Sequence, residues 1–123
     1  GVRAVEDPDL VQYLVDHQIP LEVNPTSNIC LNIYPSYEDH PLKTLVEEGV
    51  IVTINSDDPP MFNTTITDEY LHAIHDCGLS LAQLETPVLD AVRFSYLPDN
   101  QKSTRLHEFE TAYQDLRQKH GLS

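Results

Sequence analysis

The run Val50-Ile51-Val52-Thr53-Ile54 constrains the fold more than any other segment. Consecutive β-branched residues are restricted in a helix and pack well on a pleated surface, so the run predicts a strand. It shows no alternation of apolar and polar positions. A strand patterned this way is buried on both faces, as in a parallel sheet covered by helices. Leu21-Glu22-Val23 predicts a second, shorter strand ahead of the turn-rich Asn24-Pro25-Thr26-Ser27-Asn28, a cluster we expect no helix to cross.

Helical signals surround these strands. Asp7-Pro8 pairs an N-cap with proline at the first helical position, and Leu10, Val11, Leu14 and Val15 follow at helical spacing, which predicts a helix from Pro8 to about His17. A second helix is expected from His40-Pro41 through Leu42, Leu45 and Val46, with Gly49 as its C-cap. Thr67-Asp68-Glu69 is expected to cap a third, running to about Cys77, and Ser80 a fourth, running to about Phe94. Leu106, Phe109, Tyr113 and Leu116 form one stripe on a last amphipathic helix from Pro98 to about His120. The order helix, strand, helix, strand and three helices is that of an α/β protein. Two strands cannot close a barrel or make a stable parallel sheet. The chain opens on Gly1 rather than Met, which also points to a piece of a larger domain.

The charge narrows the partners. Seven Lys and Arg against twenty Asp and Glu leave a formal charge of -13, which repels phosphate backbones and anionic membrane surfaces, so no nucleic acid or membrane partner is expected. No apolar run approaches the roughly 20 residues of a membrane span. Cys30 and Cys77 lack any metal-knuckle or redox spacing and read as buried free thiols of a cytoplasmic protein.

Chemistry in parallel α/β folds gathers on loops leaving the C-terminal ends of strands. Asn55-Ser56-Asp57-Asp58-Pro59-Pro60 occupies that place after the Val50 run. Two readings of the paired carboxylates stand open from pattern alone. A divalent cation neutralises one aspartate while the other, directed away from it, faces a ligand. Alternatively the loop is a solvated turn whose aspartates cap the backbone beside Pro59. His72 and His75, three apart on a helix far from a strand end, are left out of the site. Tyr34 and Tyr37 read as packing residues.

Asn24-Pro25-Thr26-Ser27-Asn28 at one strand end and Thr53-Ile54-Asn55-Ser56-Asp57-Asp58-Pro59 at the next resemble the last two strand-end motifs of the adenosine deaminase family. Gly1-Val2-Arg3 resembles the stretch directly after that family's histidine-glycine signature, and the likeness covers nearly the whole chain. It implies an α/β fold: the C-terminal portion, last two strands and following helices, of a (β/α)8 TIM barrel of the metal-dependent hydrolase type. Residues 1–123 would then be the C-terminal part of one incomplete deaminase barrel domain.

By resemblance, Asp57 is a catalytic aspartate and ligand of one Zn2+, and Asp58 binds substrate by hydrogen-bonding a purine ring nitrogen. The substrate implied is a purine nucleoside or base (adenosine, adenine or aminodeoxyfutalosine) that loses its exocyclic amine to water. The remaining zinc histidines and the acid/base glutamate belong to the missing N-terminal barrel portion, so the chain alone is expected to be inactive. Asn24 departs from the family, many members of which carry cysteine there. The reading from a different class is an inactive standalone acidic α/β module that binds a divalent metal or serves only in association.

Overall fold

The computed structural model describes residues 1–121; the last two positions of the expected 1–123 domain lie outside the described residues. A 3-10 turn over Val2–Glu6 leads into α1 (Pro8–Asp16), where the Asp7 carboxylate accepts from the backbone N–H groups of Asp9 and Leu10. Strand β1 (Leu21–Val23) is followed by α2 (Pro25–Cys30) and α3 (Leu42–Glu47), and β2 (Val52–Ile54) by α4 (Pro59–Phe62), α5 (Ile66–His75), α6 (Leu81–Arg93) and α7 (Asp99–His120).

The two strands pair in parallel, with Leu21 opposite Val52, Glu22 opposite Thr53 and Val23 opposite Ile54. Ile51 accepts from the N–H of Leu21, and the N–H of Asn55 donates to Val23, each at 2.8 Å, which closes the ladder at both ends. All three residues of β2 are buried, as its uniform pattern requires, and α6 packs on it. In β1 Val23 is buried while Glu22 is exposed. Val23, Val52 and Ile54 meet Leu42, Leu45, Ala73, Cys77 and Leu79 in the core.

Gly49 makes the reversal from α3 toward β2. Its φ is +89°, and its N–H and that of Val50 bond back to Val46 and Leu45. A Cβ there would meet Val15 only at ordinary contact distance, 3.9 Å, so the cost of a side chain is backbone strain rather than a clash. Gly49→Ala should lower the stability of the complete protein by about 1–2 kcal/mol. A thermal melt reads this directly, and an unchanged melting temperature contradicts it.

Several expectations are corrected. The Asn24–Asn28 cluster does carry a helix: Pro25 takes the first helical position, where its missing N–H costs nothing, and α2 continues from it. The β2 ladder is shorter than the Val50 run because β1 offers only three residues to pair with it. The cap of α5 is Thr65 rather than Thr67, in a reciprocal box with Asp68. Cys77 is buried, which pushes its thiol up to about 11, with Asp76 and Glu69 adding to the rise; Cys30, ending α2, is exposed. The α7 stripe is only partly covered: Tyr113 and Leu116 line an open cleft with Leu81 and Leu84 of α6, and Arg117 pairs with Glu85, but no residue of α7 is buried.

Candidate active site

Asp57 and Asp58 follow β2 by three and four residues, in the loop entering α4. Asp57 has a φ of +60°, a left-handed conformation that costs a residue with a Cβ about 1–2 kcal/mol per position. Among the described residues it makes one side-chain bond: the buried Ser27 donates its hydroxyl to Oδ2 at 2.8 Å. Asp58 is the N-cap of α4 and accepts from the Met61 N–H through Oδ1 at 3.3 Å. The two carboxylates thus serve different elements, Asp57 facing α2 and Asp58 its own helix. Strand alternation does not cause this, because β2 ends at Ile54; the left-handed turn at Asp57 does. Both aspartates are exposed. The capping expected of a plain turn is therefore present at Asp58 but not at Asp57.

The floor beneath these aspartates is polar and buried. Glu69, the fourth residue of α5, is 0% exposed, yet both its oxygens are bonded. Oε2 accepts from the backbone N–H of Thr26 at 3.1 Å and Oε1 from the hydroxyl of Thr64 at 2.9 Å. Thr26 Oγ1 lies 2.9 Å from the Tyr37 hydroxyl, and burial raises the Tyr37 phenol above its ordinary range. Tyr37 in turn stacks on His72, ring centroids 4.1 Å apart, and His72 Nδ1 lies 2.6 Å from Asp76. His72 is thus engaged with Tyr37 and Asp76, while His75 is exposed.

His40 secures the next part of the loop. The Leu42 N–H donates to its Nδ1 at 3.1 Å, so the proton resides on Nε2, which donates to Asn28 Oδ1 at 2.8 Å. Burial lowers its pKa to about 4, which keeps the ring neutral near pH 7.

Among the described residues, no group of three or more His, Cys, Asp or Glu converges as a metal set. The donor chemistry of Asp57 nevertheless suits one position of such a set. A carboxylate oxygen is an accepted zinc ligand, Oδ2 is steadied by Ser27, and Oδ1 has no protein partner among the described residues. Neither Ser27 nor Glu69 was singled out from the sequence. Ser27 lay inside a motif that marked it, whereas Glu69 reads as an ordinary first-turn acid, and no pattern reveals that it is fully enclosed.

Residues 1–112 match the family described as adenosine deaminase. The chain belongs to the adenosine deaminase family. Among its curated relatives, an adenine deaminase of Rhizobium meliloti (strain 1021) is 43% identical over 99 residues, 80% of this chain and 31% of the relative. An aminodeoxyfutalosine deaminase of Streptomyces avermitilis is 40% identical over 111 residues, 90% of this chain and 31% of the relative. The crystal structure of adenine deaminase from Arthrobacter aurescens superposes with a TM-score of 0.88 at 33% identity, covering 93% of this chain and 35% of that one. The chain spans about a third of the length of the relatives it matches. Its two strands and following helices are the C-terminal portion of a (β/α)8 barrel of the adenosine deaminase family.

Proposed function

We propose that the complete protein containing residues 1–123 removes the exocyclic amine of an adenine-type purine base or nucleoside by hydrolysis, and that this chain is the C-terminal part of its single barrel domain. The observation that carries the reading is Asp57, a left-handed, exposed carboxylate at the end of the fully buried β2, with Oδ2 held by Ser27. Asp57 is the aspartate ligand of one Zn2+, and the metal, when bound, activates the attacking water. Asp58 reaches a ring nitrogen of the purine. The other metal ligands and the acid/base group come from outside this chain, so residues 1–123 alone are inactive. Both cysteines are free, which suits a cytoplasmic setting, and no described helix is long and apolar enough to cross a membrane.

Both relatives at about 40% identity carry deaminase names but different substrates, so the reading is pitched at the adenine-type ring they share. Ammonia release from adenine, adenosine and aminodeoxyfutalosine, measured on the complete protein with zinc present, tests it. Activity on one of the three is the expected result. A complete protein that binds zinc but releases ammonia from none of them reduces the reading to a metal-dependent hydrolase of another kind.

A further inference from the structure

Glu69 is a buried carboxylate with no cation among its hydrogen-bond partners, an arrangement that is costly unless its bonds are well made. Its two bonds go to two different strand-end loops. Toward β1, it accepts the N–H of Thr26, the second residue of α2. Proline at the first position of that helix has no N–H, and Asn24 makes no side-chain capping bond, so Glu69 supplies from 43 residues away the cap that the local sequence lacks. The residue after Thr26 is Ser27, the donor to Asp57 Oδ2. Toward β2, Glu69 accepts the hydroxyl of Thr64, just beyond α4, and the Thr64 N–H bonds back to Pro59 beside Asp58. One enclosed side chain therefore grips the helix that steadies Asp57 and the far end of the loop that carries both aspartates.

We infer that Glu69 is a positioning residue for the Asp57 carboxylate, acting through Thr26 and Ser27 to aim it at the metal. The inference rests on the reading of Asp57 as a metal ligand. Removing Glu69 frees the start of α2, lets Ser27 swing, and loosens Asp57 although nothing that touches zinc has changed. Partners that orient a ligand in this way typically contribute 10–100-fold to metal affinity. Thr64 bonds only the other oxygen, so its loss releases the α4 end while leaving Ser27 in place.

The test is zinc affinity by chelator competition on the complete protein, with hydrogen exchange of the segments around residues 24–30 and 57–64 of the metal-free form. Glu69→Ala should weaken zinc binding by roughly 10–100-fold and speed exchange in residues 24–30. Ser27→Ala should weaken it as well, and the double variant should be little worse than Glu69→Ala, since the two act in series. Should Glu69→Ala fail to fold, Glu69→Gln serves instead: its amide oxygen can accept from only one of the two donors, so it should fall between wild type and the expected loss. Additive losses in the Ser27 and Glu69 variants, or a Glu69 variant with lowered melting temperature and unchanged zinc affinity, overturn the inference. Asp57→Ala run alongside separates the failures. If it retains zinc, the ligand reading itself has fallen; if it loses zinc while the Glu69 variants keep it, only the positioning role has.

Discussion

Asp57→Ala in the complete protein should lower kcat/KM for the deaminated purine by roughly 1,000-fold or more, with loss of stoichiometric zinc. The magnitude comes from the several kcal/mol that a metal-activated water contributes to the transition state, each 1.36 kcal/mol being tenfold in rate. Asp57 is exposed and caps no helix, so alanine there empties no core space; it keeps the Cβ that strains a φ of +60° and takes from the buried Ser27 hydroxyl its acceptor, a cost of about 1–2 kcal/mol. The variant should remain folded, with the metal-free protein melting only modestly below the wild type. Asp58 requires a different substitution. Its carboxylate caps α4, and alanine would forfeit about 1 kcal/mol of helix capping along with any contact to substrate. Asparagine is as good a cap and nearly the same shape, so Asp58→Asn isolates the charge. It should keep its zinc and lose about 10- to 100-fold in kcat/KM, the value of one hydrogen bond to a charged group. Zinc retained in Asp57→Ala but lost in Asp58→Asn would reverse the two assignments.

The parts of this site that the sequence made legible are those written locally. The β-branched Val52, Thr53 and Ile54 are all buried, and Asp57 and Asp58 stand beyond their C-terminal end. Proline after Asp or Asn is the recurring start signal. Asp7-Pro8, Asn24-Pro25 and Asp58-Pro59 each open a helix in the fold, because proline itself needs no partner at that position; Asp7 and Asp58 also cap theirs through the side chain, whereas Asn24 does not. Only the first precedes an apolar period long enough to be read as a helix. The helices α2 and α4 are six and four residues long, too short to display a face. The polar floor is not legible at all. The bonds of Glu69 to Thr26 and Ser27 to Asp57 span 43 and 30 residues. They form because parallel strands bring successive strand-end loops side by side, a consequence of β1 and β2 pairing that spacing along the chain does not encode. Glu22 shows the converse limit. It lies opposite the buried Thr53 yet is exposed, since α6 covers β2 more fully than β1.

Acid should weaken the complete protein through His40, within the window its ring defines. His40 is 4% exposed, with Nδ1 accepting from Leu42 and Nε2 donating to Asn28, so both nitrogens are committed in the neutral form. A proton added to Nδ1 would face the Leu42 N–H and break the bond that starts α3. Burial holds the folded pKa near 4, whereas the unfolded ring titrates near 6.5. Between those values the unfolded chain binds more protons than the native one, so stability falls as pH falls; the contribution is whole above about 6.5 and gone by the time pH has dropped through about 4. Linkage gives a loss of about 2 kcal/mol from pH 7 to pH 5 for this group alone. Other carboxylates and histidines titrate too, and a His40→Gln variant, whose amide can still donate to Asn28, shares them all. The difference between wild type and variant in denaturant stability should thus shrink by about 2 kcal/mol over that interval. Proton NMR offers the direct check, with the His40 ring resonances titrating near 4. A midpoint near 6.5 would mean that the ring is open to water in solution, and that the Asn28 loop is anchored by something other than this imidazole.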